Sequence, residues 1–315
     1  MPVSFADRVV IVTGAGGGLG RTYALDIAGR GGAVVVNDLG CAVDGSGRSR
    51  EAADKVVAEI TAAGGRAVAS YDSVATKDGA RRIVDTAIDA FGRVDALINN
   101  AGNLRNDWFE NVREEDRDAV IATHLFGTFN VTQAVWPHMH AQKYGRVVFT
   151  SSASGMLGNP MQAGYGMAKA GIVGLMNVLS QEGRPHGILC NAITPNALTR
   201  MGEEHAEKME PGVLEKMAPV MAALGRSMEP VFNAGIVVYL ASAACTTTHT
   251  IYSQLGGRIA RVFIGVTEGW QGPRTHPATA DDIAAHIGQI RDATRGSHIP
   301  DDLNHEFRIV VGPDV

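Results

Sequence analysis

Short runs of consecutive apolar residues alternate along the chain with longer stretches in which apolar residues recur every three or four positions. Short apolar runs are typical of strands buried on both faces, and the longer pattern is typical of helices with one buried face. The runs predict strands at residues 8–13, 33–37, 67–71, 94–98, 145–150, 188–193 and 250–257. The periodic stretches predict helices at residues 21–29, 51–63, 77–91, 114–140 (broken near Trp136-Pro137), 165–179 and 230–242.

Strands that alternate with helix-length crossovers predict an α/β fold. Parallel strands need such crossovers, and the helices then cover both faces of the sheet. A further strand at 261–266 and a helix capped by Thr279 follow the alternating region. Residues 199–228 stand out by their five methionines, which suit a mobile substrate lid and equally suit ordinary helix cores.

Charge and cysteine content exclude several classes of protein. Lys and Arg total 28 against 33 Asp and Glu, a net charge of −5 without a basic run, which argues against nucleic acid as a partner. Cys41, Cys190 and Cys245 lack metal or disulfide spacing, so we expect no metal site and a reducing, cytoplasmic compartment. No apolar run is long enough to span a membrane, and the first strand leaves no room for a signal peptide.

A glycine-rich turn, Gly14-Ala15-Gly16-Gly17-Gly18-Leu19-Gly20, lies between the first predicted strand and the first predicted helix. Gly14, Gly18 and Gly20 let the backbone approach a pyrophosphate, and the helix start supplies a positive dipole end. Asp38 ends the second strand, where a carboxylate accepts hydrogen bonds from a ribose 2′-hydroxyl and repels a 2′-phosphate. The sequence therefore favours NAD over NADP.

Polar and glycine residues also follow the next two strands. Asp72 and Ser73 come after the third strand and can bind the edge of an adenine ring. Gly102 comes after the fourth strand, where the lack of a side chain lets the backbone approach a dinucleotide closely. The loop at 40–50, with Arg48 and Arg50, either covers the adenosine end of such a ligand or is an exposed excursion.

Tyr165 and Lys169 lie four residues apart in a predicted helix, so the phenol and the ammonium share one face. An ammonium at this distance favours the phenolate, so we expect a lowered pKa for Tyr165 and a role as general base. Ser152 follows the fifth strand, where its hydroxyl can reach the same substrate oxygen.

Together, TGAGGGLG, NNAG, Ser152 and the Tyr165-x-x-x-Lys169 pair resemble the short-chain dehydrogenase/reductase family. The resemblance implies a doubly wound parallel sheet of the Rossmann type, a nicotinamide cofactor, and interconversion of an alcohol and a ketone. It further implies that residues 1–258 form the dinucleotide-binding and catalytic domain, with the substrate lid at 199–228, and that residues 259–315 are a C-terminal extension of that domain.

Additional stretches, including VVVNDLG, YDSV and CNAITPNA, are similar to the (3R)-hydroxyacyl-CoA dehydrogenase branch of peroxisomal β-oxidation. This similarity implies NAD-dependent oxidation of a β-hydroxyacyl-CoA, including bulky acyl groups such as steroid side chains. The alternatives are a hydroxysteroid or other secondary-alcohol dehydrogenase, a 3-oxoacyl carrier-protein reductase, and a non-catalytic NAD sensor. The family also implies a homodimer, and we expect any enoyl-CoA hydratase to be a separate protein.

The resemblance assigns roles to individual residues of this chain. Tyr165 would take the hydroxyl proton, Lys169 would lower the pKa of that tyrosine and hold the nicotinamide ribose, and Ser152 would hold the substrate oxygen. Leu19 would join the glycines at the pyrophosphate, Asn100 would contact the nearby ribose and Thr199 the nicotinamide amide. There are two departures from the family pattern. His124 stands where many members have an asparagine that helps a proton relay, and Pro195-Asn196 replaces the usual Pro-Gly.

Overall fold

The computed structural model describes residues 2–199 and 211–311 of the chain. It divides into two compact units between Arg261 and Val262, close to residue 259, where the C-terminal extension is predicted to start. Of the predicted lid at 199–228, residues 200–210 lie outside the described part of the chain. Both the lid and the extension of the first domain stay predictions.

The first unit is built on one eight-stranded, mostly parallel sheet. The apolar runs predict its first seven strands, and β8 is additional. Its spatial order is β3-β2-β1-β4-β5-β6-β7-β8, which is the doubly wound Rossmann order extended by two strands. Neighbouring strands from β3 to β7 pair in parallel. The strands are β1 (Val9–Thr13), β2 (Ala33–Asn37), β3 (Arg66–Ser70), β4 (Ala96–Asn99), β5 (Gly145–Thr150), β6 (Ile188–Pro195), β7 (Thr250–Leu255) and β8 (Arg258–Val262).

The helices of this unit pack on one another in two groups. They are α1 (Gly18–Gly29), α2 (Glu51–Ala62), α3 (Lys77–Phe91), α4 (Glu114–Ile121), α5 (Gly127–Gln142), α6 (Ala153–Leu157), α7 (Ala163–Gly183), α8 (Pro211–Leu224) and α9 (Ala234–Ala241). Helix α1 contacts α2 and α9, whereas α5 contacts α3 and α7. Central strands β1, β2 and β4 are buried along their whole length, because both faces of a parallel sheet are covered.

The helical stretch after residue 114 differs from its prediction. A break near Trp136-Pro137 is wrong, because α5 continues through Pro137 to Gln142. The irregularity lies earlier, where residues Ala122–Phe126 form a π-helical turn between α4 and α5. An extra residue in one helical turn re-aims the side chains on it, and such turns are frequent at functional sites.

Two glycines shape the end of the sheet. Gly256 and Gly257 have φ of 57° and 81°, the left-handed pair that a tight two-residue hairpin turn requires, so the predicted strand 250–257 stops at Leu255. The predicted strand at 261–266 is wrong, since β8 ends at Val262 and β9 (Val266–Thr267) begins at Val266.

The second unit contains a short antiparallel pair and two helices. Strand β9 pairs with β10 (Ser297–His298), and α10 (Ala280–Arg291) and α11 (Leu303–Val311) complete the described part. Thr279 caps α10 as predicted, because its hydroxyl accepts a hydrogen bond from the Asp282 amide while the Asp282 carboxylate binds the Thr279 amide. Trp270 stacks on His286 at a centroid distance of 4.1 Å.

Candidate active site

One cavity of about 540 Å³ lies at the carboxyl ends of the parallel strands. In a doubly wound sheet this edge, beside the point where the strand order reverses between β1 and β4, is where ligands bind. All but one of the site residues predicted from sequence line it. They are Gly14, Gly18, Leu19, Asp38, Asp72, Ser73, Asn100, Gly102, His124, Ser152, Tyr165, Lys169 and Thr199. Gly20 lies behind the lining, on the first turn of α1.

The glycine turn is shaped by close backbone contacts. Gly14 and Gly18 have φ of 64° and 50°, and a Cβ on Gly14 would come within 2.8 Å of the Ala101 Cα. A Cβ on Gly20 would collide with the Gly14 carbonyl. This contact explains why residue 20 is a glycine although it does not face the cavity. At the start of α1, Gly17 offers no side-chain cap, so the first N–H groups of the helix remain available for a phosphate. These residues fit a dinucleotide pyrophosphate.

The carboxylate of Asp38 lies between the glycine turn and the loop at 40–50. Its Oδ2 accepts from the Gly16 amide at 2.8 Å, and its Oδ1 accepts from the Gly40 amide at 2.7 Å. Each carboxylate oxygen can accept a further hydrogen bond, so Asp38 retains capacity for ribose hydroxyls. The two amides fix the direction of the carboxylate in advance.

Residues at the ends of β3 and β4 are also anchored by protein contacts. The Asp72 carboxylate accepts from the Arg82 guanidinium at 2.6 Å, and the Ser73 hydroxyl accepts from the Ala75 amide. The side-chain amide of Asn100 donates to the carbonyls of Thr13 and Gly14 at 3.0 and 3.1 Å. Its nitrogen therefore holds the glycine turn, and its oxygen is the atom left to face a ligand.

The loop at 40–50 lines the cavity instead of standing away from it. Cys41, Ala42, Val43 and Gly45 are part of the wall. The Val43 carbonyl accepts from the Leu104 amide at 2.9 Å, and the Asp44 carbonyl accepts from the Arg105 guanidinium at 2.8 Å. Of the two alternatives that the sequence left open, these contacts favour the covering loop.

Ser152, Tyr165 and Lys169 meet at the far end of the cavity. Lys169 is buried, its ammonium donates to the Thr150 carbonyl at 2.6 Å, and burial lowers its pKa to about 7. The Lys169 nitrogen lies 5.6 Å from the centroid of the Tyr165 ring. Burial raises the pKa of Tyr165, while a hydrogen bond from the Ser152 hydroxyl opposes the rise. The lowered pKa expected for Tyr165 from sequence is therefore wrong, since burial outweighs the hydrogen bond from Ser152.

His124 lies on the π-helical turn and points into the same end of the cavity. Its Nε2 donates to the Asn103 carbonyl at 2.7 Å, and its Nδ1 has no partner among the described residues. Burial, followed by the charge of Lys169, holds the pKa of His124 well below its usual value, so the ring is neutral. Gly102 has no room for a side chain because a Cβ there would collide with the His124 ring.

The cavity wall beyond Tyr165 contains residues that sequence reasoning missed. Polar side chains come from Ser154, Asn159 and Gln162, and apolar ones from Leu104, Leu198 and Pro230. Met228, the last residue of the predicted lid, also lines this wall. A signal for one of them is present in the sequence, because Gln162 lies one helical turn before Tyr165. Within residues 2–199 and 211–311, no cluster of three or more His, Cys, Asp or Glu is placed to hold a metal, and no helix is long and apolar enough to cross a membrane.

The cavity has an anion-binding helix start at one end and a buried proton-transfer group at the other. This arrangement is typical of nicotinamide-dependent oxidoreductases. The family model for the short chain dehydrogenases matches residues 8–210, and the chain belongs to the short-chain dehydrogenase/reductase family. Enzymes of this family are oxidoreductases that act on CH–OH groups with NAD or NADP.

Individual relatives agree with this assignment. A putative short-chain type dehydrogenase/reductase of Mycobacterium tuberculosis is 46% identical over 286 residues, which cover 91% of this chain and 94% of that protein. The mouse peroxisomal multifunctional enzyme type 2 is 46% identical over 297 residues, or 94% of this chain but only 38% of the mouse enzyme. Among solved structures, a short chain dehydrogenase from Mycobacterium avium matches with a TM-score of 0.75 and 36% identity, covering 91% of this chain and 97% of that one.

Proposed function

We propose that this protein is an NAD-dependent dehydrogenase that oxidises a β-hydroxyacyl-CoA to the 3-oxoacyl-CoA. The observation that supports the chemistry is the single cavity that joins the Asp38 carboxylate to the Ser152–Tyr165 pair. The acyl-CoA class is supported by the similarity to the mouse multifunctional enzyme across 94% of this chain. Activities of the remaining length of that enzyme are not part of this proposal.

Tyr165 is the proposed general base, and it takes the proton of the substrate hydroxyl. A bound nicotinamide would supply the acceptor for the hydride that leaves the carbinol carbon of the substrate. The Ser152 hydroxyl donates to the substrate oxygen and orients it toward Tyr165. Protonated Lys169 favours the phenolate of Tyr165, and its anchoring to the Thr150 carbonyl keeps its ammonium close to the phenol ring.

NAD is the proposed cofactor because the Asp38 carboxylate, held by the Gly16 and Gly40 amides, would bind the adenosine ribose of NAD and repel the 2′-phosphate of NADP. Gly14, Gly18, Leu19 and Gly20 form the pyrophosphate site. The other proposed contacts are Asp72 and Ser73 for adenine, Asn100 and Lys169 for ribose, and Gly102, Tyr165 and Thr199 for the nicotinamide end.

We assign His124 a helper role beside Tyr165. Its imidazole is neutral and lies beside Tyr165 and Lys169, in the place of the asparagine of the common family pattern. Its imidazole also packs edge-on against the Tyr165 ring.

The test is the formation of reduced nicotinamide from NAD with a (3R)-hydroxyacyl-CoA, its (3S) epimer and the CoA-free acid. We expect turnover with the (3R) thioester alone and weaker turnover with NADP. Tyr165→Phe should lower the rate at least about a hundredfold. Tyr144→Phe is the matched control, because Tyr144 packs between Arg8 and Arg146, away from the cavity lining.

Other outcomes distinguish the alternatives. Activity on free steroids or plain secondary alcohols without CoA would favour a hydroxysteroid or general alcohol dehydrogenase. Preference for NADPH and a carrier-protein thioester would favour the reductase, and NAD binding without turnover on any alcohol would favour a sensor. Full activity in Tyr165→Phe would rule out the proposed proton transfer.

The assembly that we propose is a homodimer formed through α5 and α7, the helices that family members use. Both expose large apolar side chains, including Phe129, Met167 and Val178. Light scattering should give twice the monomer mass, and a tetramer would contradict the proposal. The separate enoyl-CoA hydratase partner and the cytoplasmic compartment stay predictions from sequence, which co-purification and cell fractionation test.

A further inference from the structure

Gln162 is a buried polar residue of the cavity wall with no role in the proton transfer described above. It occupies the N-terminal cap position of α7, three residues before Tyr165, and it is only 7% exposed. Both Gln162 and Tyr165 line the cavity. A buried amide beside the reacting end of a cavity costs free energy unless its donors and its acceptor find partners.

The side-chain amide of Gln162 has a defined orientation. Its Oε1 accepts from the Ser154 hydroxyl at 2.7 Å and from the Asn159 side-chain amide at 3.1 Å. Because the Asn159 nitrogen can only donate, the carbonyl side of Gln162 has to face it. The amide nitrogen of Gln162 has no hydrogen-bond partner within the described part of the chain, so its two N–H groups are available to a ligand in the cavity.

The backbone just before Gln162 is held in an uncommon conformation. Met161 has a φ of 66°, in the left-handed region that bulky residues rarely adopt. The Asp107 amide donates to the Met161 carbonyl at 3.1 Å and ties this turn to the neighbouring segment. A strained backbone conformation persists only where the surrounding structure holds it in place. Here it fixes the position of the Gln162 Cα, from which the side chain extends, before any ligand binds.

We propose that the Gln162 amide nitrogen donates a hydrogen bond to the thioester carbonyl of the substrate and so selects alcohols that carry a carbonyl group β to the reacting carbon. This inference rests on the proposed function, because it deepens the choice of substrate at the same site. Ser152 and Tyr165 hold the reacting oxygen, and a donor one helical turn away suits a carbonyl group whose carbon lies two bonds from the reacting carbon. An alcohol without that carbonyl would leave the Gln162 N–H groups unpaired when it fills the cavity. A site built to hydrogen-bond its substrate discriminates strongly against such a ligand.

The experiment compares two ligands that differ only at this carbonyl: 3-hydroxybutyryl-CoA and the thioether S-(3-hydroxybutyl)-CoA. The wild-type enzyme should prefer the thioester by about 100-fold or more in kcat/KM. In Gln162→Glu, which keeps the acceptor oxygen for Ser154 and Asn159 but loses both N–H groups, the preference should fall by about 10- to 100-fold. Gln162→Met should lose the preference in the same way, and NAD affinity should be retained in both variants.

Several results would overturn the inference. Equal kcat/KM for the two ligands in the wild-type enzyme would do so without any variant, so the test survives poor folding of a substitution. An unchanged preference in both Gln162 variants, with normal thermal unfolding, would overturn the role of Gln162 and leave the proposed function intact. No turnover of 3-hydroxybutyryl-CoA or of a longer (3R)-hydroxyacyl-CoA by the wild-type enzyme would overturn the proposed function and this inference together.

Discussion

The imidazole of His124 stands edge-on to the phenol ring of Tyr165, with centroids 5.1 Å apart and ring planes at 90°. Edge-to-face packing at this distance is a favoured aromatic geometry, so the histidine restricts the position of the tyrosine. His124 is in turn fixed by the hydrogen bond from its Nε2 to the Asn103 carbonyl. The proposed base is thus positioned by a neutral ring on a different helical segment.

Removal of this ring should impair catalysis more than cofactor binding. We expect His124→Ala to lower kcat about tenfold or more, because small displacements of a catalytic group have large effects on rate. The affinity for NAD, measured by fluorescence titration, should change little. His138→Ala is the control, since His138 lies on α5 outside the cavity lining. Equal kcat for His124→Ala and wild type would contradict the positioning role.

Gly102 and His124 should be energetically coupled, because a Cβ on Gly102 would collide with the imidazole. We expect Gly102→Ala to lower the free energy of unfolding by about 1–3 kcal/mol, as overpacking does. In the His124→Ala background the same substitution should cost much less, since the space is then free. Urea unfolding of the four proteins of this double-mutant cycle measures the coupling. Strict additivity would show that the collision is relieved by other movements.

The strands and their order along the chain were predictable from the sequence, because strands that are buried on both faces of a sheet consist of consecutive apolar residues. The runs at 33–37 and 145–150 coincide with β2 and β5, and the glycine turn and Tyr165-x-x-x-Lys169 motif sit where strand ends meet. The π-helical turn was not predictable, since the apolar periodicity of residues 114–140 carries no sign of an extra residue in one turn. The direction of the Tyr165 pKa was missed because spacing gives the charge of Lys169 but not the extent of burial.

Asp38 should control the choice between NAD and NADP. In Asp38→Ser the negative charge is absent, so we expect the ratio of kcat/KM for NAD over NADP to fall about tenfold or more. Asp38 also binds the Gly16 and Gly40 amides, and the variant should therefore unfold at a lower temperature. Asp44→Ser, in the loop at 40–50 that follows Asp38, is the matched control, because Asp44 does not line the cavity. An unchanged cofactor ratio would remove Asp38 as the determinant.

Lys169 should make the stability of the protein rise with pH above neutrality. Burial lowers its pKa from 10.5 to about 7 in the folded state, so between these values the unfolded chain binds more protons than the folded one. By linkage the free energy of unfolding then increases with pH, by up to about 1.4 kcal/mol per pH unit for this one group. Below pH 7 both states are protonated and the dependence vanishes. The raised pKa of Tyr165 acts in the opposite direction, but only above about pH 10, where an unfolded tyrosine ionises.

The measurement is urea unfolding of the wild type and Lys169→Met at several pH values from 6 to 10. The difference in free energy of unfolding between the two proteins should grow with pH in favour of the wild type. Taking this difference cancels the titration of groups that do not interact with Lys169, such as the buried thiol of Cys190, whose pKa is raised by burial. Lys143→Met is the control, because Lys143 ends α5 and lies outside the cavity lining. A constant difference across this range would mean that Lys169 keeps an ordinary pKa in the folded protein, and that its charge does not depend on pH near neutrality.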